Sequence, residues 1–181
     1  MAPERMSTRQ AEVLRAAIEL LDEVGLDALT TRRLAARLGV QAGALYRHYP
    51  SKRALLDAMV EHIVAEAGAG PAPDGNWAAQ LRTLAAGMRR GMLAHRDGAR
   101  LMATFQAPGE AARASFEALV GLLVRAGATR EDAAVGIDTL VCFVNGFAVE
   151  EQARGAGAPR DRAFEAGVDV ILSGIRDSIL G

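Results

Sequence analysis

Between Thr30 and Lys52 the chain reads TTRRLAARLGVQAGALYRHYPSK, and this stretch holds the residues best suited to binding chemistry. Arg32, Arg33, Arg37, Arg47, Lys52 and Arg53 concentrate positive charge there. Tyr46, His48 and Tyr49 add hydrogen-bonding groups that can reach phosphate oxygens. Arginine also makes the commonest specific contact with guanine in the DNA major groove. The chemistry on offer is recognition of a polyanion. A solvated helical hairpin with ordinary surface arginines is the competing reading of the same residues.

Catalytic constellations are not legible. His48, His62 and His95 are scattered and form no metal-ligand pair at helical spacing, and His95 with Asp97 reads as a local structural contact at a helix junction. No Ser/His/Asp set, P-loop or dinucleotide fingerprint occurs, so neither an enzyme nor a cofactor or metal site is expected. The single cysteine, Cys142, excludes an intrachain disulfide and any Cys-rich zinc site. It lies in an apolar run and is expected to be a buried structural thiol.

Helices must position these groups. Half of the 181 residues are apolar and only 4% are aromatic, so the core is built from Ala, Leu and Val, and no convincing strand pattern appears. The expected fold is all-α. A first helix runs from about Thr8 to Val24, with Leu14, Ile18 and Leu21 on one face and Gly25 as its stop. Thr30 is a natural N-cap for a second helix carrying Leu34, Ala35 and Leu38, which Gly39 ends. Gln41 to His48 is expected to be a short third helix, stopped by Pro50. Two short helices around a glycine turn are the form of a helix-turn-helix, whose second helix enters the major groove. Small residues at Ala42, Gly43 and Ala44 suit close approach to another surface.

Ser51 opens a longer helix to about Ala67, with Leu55, Leu56, Met59, Val60 and Ile63 on its apolar face. Gly68 to Asn76 and Gly155 to Pro159 read as linkers. Helices are expected from Trp77 to His95, from Arg96 to Phe105, from Glu110 to Ala126, from Thr129 to about Arg154 and from Asp161 to Leu180. The fourth of these is apolar nearly all round, which predicts burial on more than one side. The last shows Phe164, Val168, Ile171 and Ile175 at helical spacing. Small residues Ala133, Gly136 and Gly146 would let backbones come close, and two such apolar helices at the C-terminus argue for a dimer.

Charge divides along the chain. Residues 1–53 hold 9 Lys+Arg against 6 Asp+Glu, and residues 54–181 hold 12 against 16. This fits a DNA-facing domain, 1–53, joined to a second domain, 54–181, through a connecting helix at 51–67. Met1 to Arg9 lacks the apolar centre of a signal peptide and reads as a polar arm, a solvated tail in the first instance, with Arg5 and Arg9 as candidates to brush phosphates. No run of about 18 apolar residues is free of charge, so no membrane partner is expected and the cytoplasm is the expected location.

The sequence from residue 8 to residue 60, with G-L-D-A-L-T-T-R-R-L-A-A-R-L-G-V and L-Y-R-H-Y-P-S-K-R-A-L-L-D, resembles the DNA-binding domain of the TetR family of bacterial repressors. Trp77 and the run Leu93-Ala94-His95-Arg96-Asp97-Gly98-Ala99-Arg100 are similar to the ligand domain of its tetracycline-repressor branch. The resemblance implies an N-terminal three-helix DNA-binding domain and a C-terminal helical domain for ligand binding and dimerisation. It implies a homodimer joined by a four-helix bundle, a palindromic double-stranded DNA operator and a small-molecule effector whose signal passes along the connecting helix. Half-sites would lie one DNA turn apart.

By the same resemblance Arg32 falls on a guanine-reading arginine, Thr30 and Thr31 on phosphate-contacting threonines, and Lys52 on a phosphate-contacting lysine. Leu45, Tyr46 and His48 also match the motif. Ala42, Gly43 and Ala44 depart from it, standing where that branch has glutamine, proline and threonine, and Arg47 stands in place of tryptophan. A different operator is expected, read by Arg32, Gln41, Tyr46 and Arg47.

In the second domain the tetracycline-repressor branch holds a magnesium–drug chelate. Its histidine ligand falls on Met102, and a drug-binding histidine on Gly68. Its asparagine, phenylalanine and threonine fall on Leu84, Met88 and Phe105. Glu150 alone keeps a pocket residue. Magnesium requires oxygen ligands, and one carboxylate among Met, Leu and Phe does not suffice. The expected effector is therefore a largely apolar molecule. Leu84, Met88, Met92, Met102, Phe105, Phe143 and Phe147 are candidate lining residues, and Asn145 and Glu150 are polar anchors. Met and Phe at helical spacing are equally read as plain core. The rival function is a ligand-independent architectural DNA-binding protein.

Overall fold

A computed structural model describes residues 8–66, 76–155 and 160–181. The protein is all-α. Its elements are α1 (Thr8–Val24), α2 (Thr31–Arg37), α3 (Ala42–Leu45), α4 (Lys52–Glu66), α5 (Trp77–Ala94), α6 (Gly98–Met102), α7 (Glu110–Arg125), α8 (Arg130–Arg154) and α9 (Asp161–Ile175). A wider π-helical turn, Arg176–Leu180, closes the chain. Most of each linker, 68–76 and 155–159, lies outside the described residues.

Two compact units result. The first comprises residues 8–66 with Gly91–Pro108, and the second comprises 76–90 with the described part of 109–181. In the first unit α1 buries Val13, Leu14, Ala17, Ile18 and Leu21 against α2 and α4. Thr30 caps α2 as its sequence predicts: its hydroxyl accepts the Arg33 amide at 3.2 Å, a contact worth about 1 kcal/mol. Gly39 leaves α2 at φ 65°, the left-handed conformation that costs glycine nothing. Ser51 caps α4 by accepting the Ala54 amide at 3.0 Å.

The third helix is shorter than its sequence predicts. Only Ala42–Leu45 is α-helical, and Tyr46 to His48 continue as a turn, with the Tyr49 amide reaching the Leu45 carbonyl at 3.0 Å. With Gly43 at its centre and Pro50 behind it, the segment lacks the propensity to add a second regular turn.

The corner between α5 and α6 is bound to the end of α1. His95 Nδ1 lies 3.0 Å from Asp22, Arg96 donates to the Glu23 carbonyl at 2.8 Å, and Asp97 accepts the Leu26 amide at 2.9 Å. His95 is thus paired with Asp22 of α1. Asp97 sits at φ 56°, and its carboxyl is held below the usual carboxylate range first by the Leu26 amide and then by Arg100. Gly98 cannot carry a side chain, because a Cβ there would meet the Met92 carbonyl oxygen at 2.3 Å. Beyond α6, the buried Asp57 of α4 accepts the Gln106 amide at 3.3 Å, and Arg53 donates to the Thr104 carbonyl.

In the second unit α8 packs on α7 and α9. Thr129 caps α8, accepting the Asp132 amide at 3.1 Å. The helix buries one face only, through Ala133, Gly136, Ile137, Leu140, Val144 and Ala148. Burial on more than one side, expected from its all-round apolarity, is not reached within the single chain: Val135 is 58% exposed and Cys142 is exposed rather than buried. By length and composition α8 matches a bilayer-crossing helix, since Asp138 is the one charge between Ala133 and Val149. Its packed face shows how such a sequence also serves a helical core. On α9 the buried residues are Phe164, Val168, Leu172 and Ile175, with Leu172 taking the inner place expected for Ile171.

Candidate nucleic-acid interface and effector residues

The helix-turn-helix is built by burying Leu34, Ala35 and Leu45 beneath α2 and α3. Everything else on the two helices is then available to solvent, and the cations separate into two groups. Arg37 is taken up by α1: its guanidinium donates to Glu23 at 2.7 and 2.8 Å and to Glu19 at 2.9 Å. Those bonds push its pKa up, Glu23 first. Arg53 is bound to the Thr104 carbonyl, and Arg33 reaches the Ala28 carbonyl at 3.3 Å. Arg32, Arg47 and Lys52 are exposed and have no side-chain partner among the described residues.

Tyr49 also leaves the candidate set. It is 5% exposed, its hydroxyl donates to the Gln10 carbonyl at 3.2 Å, and burial pushes its pKa up to about 12. Tyr46 remains at 47% exposure. Gln41, Gly43, Tyr46 and Arg47 are the exposed residues of α3 and its flanks, with Ala42, Ala44 and His48 half-buried and Leu45 in the core. Thr31 is half-buried, and Thr30 is exposed but already serves as the cap of α2. The surface therefore presents one amide, one phenol and three free cations around a short helix. These are groups that hydrogen-bond base edges and phosphates.

The effector candidates fall into both units. In the first, Met92 and Met102 are buried and Phe105 is half-buried. In the second, Met88 is buried and Leu84 half-buried on α5. Phe143 and Phe147 join Phe164 in an aromatic cluster with ring centroids 5.3 to 5.8 Å apart. Phe164 was not among the expected residues; its place at the head of the α9 stripe marks it as core, and only the fold brings it to the other two rings. Gly167 makes room, since a Cβ there would lie 2.3 Å from the Phe143 ring. Arg89 lies 4.8 Å over Phe164 and Arg160 lies 4.4 Å over Phe147.

Glu150 is exposed and bonded to both Arg154 and Arg160 at 3.3 Å. Its neighbour Glu151 is the inward carboxylate: Arg89 grips it at 2.6 and 2.8 Å and also binds Asp161 at 2.7 Å. Those bonds raise the Arg89 pKa and lower that of Glu151, in each case through their mutual hydrogen bond first. Asn145 differs from these, because its Oδ1 is buried without a hydrogen-bond partner. A groove of ≈ 620 Å³ lies between α5 and α9, bordered by Arg82, Arg89, Arg90, Asp161 and Asp169 with Phe164 at its base. None of the nine expected effector residues lines it.

A helix-turn-helix unit with free cations, followed by a helical unit, defines a DNA-binding regulator. Comparison with known proteins carries this further. The family description "Bacterial regulatory proteins, tetR family" matches residues 13–59, and "Tetracyclin repressor-like, C-terminal domain" matches residues 69–160. The class A tetracycline repressor from transposon 1721 of Escherichia coli is 38% identical over 191 residues, covering 90% of this chain and 88% of that protein. A TetR variant from Acinetobacter baumannii AYE, solved with minocycline, superposes with a TM-score of 0.84 at 37% identity, over 92% of this chain and 95% of that one. BioQ, solved with its double-stranded DNA operator, gives 0.82 at 31% identity, over 94% and 99%. The chain belongs to the TetR family of bacterial transcription regulators. Its relatives are regulators rather than enzymes.

Proposed function

We propose that this protein is a homodimeric repressor that binds a palindromic operator and leaves it when a small, largely apolar effector enters the C-terminal domain. Residues 1–53 would form the DNA-binding domain and 54–181 the ligand and dimerisation domain, acting in the cytoplasm. The observation that carries the reading is the set of free, exposed groups on the helix-turn-helix, Arg32, Gln41, Tyr46, Arg47 and Lys52. Arg32 and Gln41 read bases, and Lys52, Thr30 and Thr31 position the phosphates. The uncovered face of α8, with Val135 and Cys142, supports a second subunit as its cover.

For the effector, Leu84 and Met88 supply apolar surface, and Asn145, with its unsatisfied carbonyl oxygen, supplies a polar anchor. Relatives are named as tetracycline repressors, and one neighbour was solved with minocycline. A metal-chelated drug suits this chain poorly, because Glu150 is already held by two arginines and Met102 carries no oxygen ligand. Release requires that the effector bind more tightly to a state whose heads no longer match the operator.

The test is fluorescence anisotropy on DNA from upstream of the gene, set against random DNA across a salt series, followed by a panel of apolar compounds. Sequence-dependent binding relieved by some compounds is the expected outcome. Equal binding to both DNAs, lost steeply with salt, would leave phosphate contacts alone and favour an architectural role.

A further inference from the structure

Gly43 stands at the centre of α3, and the fold has no use for its missing side chain. It is exposed, its backbone is helical, and a Cβ built on it would meet nothing within 4 Å. Two other helical glycines are enforced, Gly98 by the Met92 carbonyl and Gly167 by the Phe143 ring, whereas Gly146 of α8 and Gly174 of α9 are as unobstructed as Gly43 but lie outside the helix-turn-helix. Inside a helix glycine is worse than alanine by about 1 kcal/mol, so Gly43 weakens α3 with no gain inside the chain.

The residues around it say what would enter the gap. Tyr46 and Arg47 lie one turn on and share its exposed face, with Gln41 at the entrance to the helix. Gly43 is therefore a notch among three base-reading or phosphate-reading side chains. Its flanks are the half-buried methyl groups of Ala42 and Ala44, which offer neither donor nor acceptor. The major groove displays one apolar feature, the 5-methyl group of thymine.

We propose that the Gly43 notch seats a thymine 5-methyl group in each operator half-site and makes Gly43 a specificity-determining residue. The inference rests on the operator-binding reading above. Seating the methyl against the Gly43 Cα lets Tyr46 and Arg47 reach the neighbouring positions. A Cβ at residue 43 would occupy the space the methyl needs.

The test pairs a methyl added to the protein with a methyl removed from the DNA. The operator is first selected from random duplexes by the wild-type protein. Each thymine of the half-site is then replaced in turn by uracil, and wild type and Gly43→Ala are titrated on every duplex. For wild type, one position should weaken by about fourfold, the contribution of one buried methyl. Gly43→Ala should melt no lower than wild type, yet bind the thymine operator at least about tenfold more weakly. On the uracil duplex at that same position it should return to within about twofold of wild type, since two crowded methyls have become one.

Undiminished binding of Gly43→Ala to the thymine operator would overturn the proposal. So would a weakened variant that no uracil position rescues, which would place the notch against the sugar–phosphate backbone instead. Selection that enriches no sequence would overturn the repressor reading itself, and this inference with it.

Discussion

Arg37 of α2 is bound to Glu23 of α1 through two hydrogen bonds of 2.7 and 2.8 Å, while Arg32, on the same helix, has no hydrogen-bond or ion-pair partner among the described residues. One arginine locks the helix-turn-helix onto the helix behind it, and the other is left for a ligand. Arg32→Ala should therefore lower affinity for the cognate operator by about 10- to 100-fold, and relax selectivity at one guanine of each half-site, if Arg32 has the proposed base-reading role. Arg37→Ala should lower the melting temperature slightly and leave base preference unchanged. Anisotropy on single-substitution operators, with thermal melts alongside, separates the two.

Lys52 sits at the start of α4, exposed and without a hydrogen-bond or ion-pair partner among the described residues. Lys52→Ala should weaken binding to all DNA sequences alike, and reduce the slope of log affinity against log salt by about 1. A loss confined to the cognate site would contradict a phosphate-contacting role.

Arg89 joins three helices by binding Glu151 and Asp161 while lying over Phe164. Its side chain and that of Glu151 are 13% and 16% exposed. Arg89→Met should cost about 3 kcal/mol, since it leaves Glu151 an uncompensated, largely buried charge. The folded pKa of Glu151 is depressed, so its contribution is present above the unfolded carboxylate range and is lost as pH falls through the folded value. Urea titrations from about pH 7 down to about pH 3 should show wild-type stability falling more steeply than that of Arg89→Met below the unfolded value of about 4.3.

Tyr49 gives the opposite sign. Its folded pKa is pushed up to about 12, so its contribution is full below the unfolded value of about 10 and is lost as pH rises from there toward the folded one. Tyr49→Phe should cost about 1 kcal/mol at neutral pH, the hydrogen bond to Gln10, and should flatten this alkaline loss. Ultraviolet titration of the phenol against denaturant melts checks both parts.

Cys142 lies on the uncovered side of α8. If a second chain covers that face, its reaction with a thiol reagent should slow as protein concentration rises, in step with dimer formation measured by sedimentation. A labelling rate independent of concentration would place the subunit contact elsewhere.

The helices themselves were plainly legible, because caps and stops are local chemistry. Thr30, Ser51 and Thr129 each accept the amide their position in the sequence predicts. The assignment of individual side chains was less so. Nothing in the spacing of Arg32, Arg37, Arg47 and Arg53 tells which meets a carboxylate across the fold, and Tyr49 differs from Tyr46 only in facing α1. α3 ran short because glycine and proline outweighed the pattern around them. Glu151 rather than Glu150 turned inward, a choice made by where Arg89 arrives from α5. Burial of Cys142 was expected from an apolar neighbourhood, but a single chain covers one side of α8 alone.

Asp57 holds the Gln106 amide from a nearly inaccessible position, 7% exposed, while Arg53 one turn earlier holds the Thr104 carbonyl. Residues 104 to 106 belong to no helix, yet their backbone is anchored like part of one. In deuterium the Gln106 backbone proton should then be retained far longer than those of ordinary connecting segments, and its exchange would report how often α4 and the irregular segment behind α6 part company.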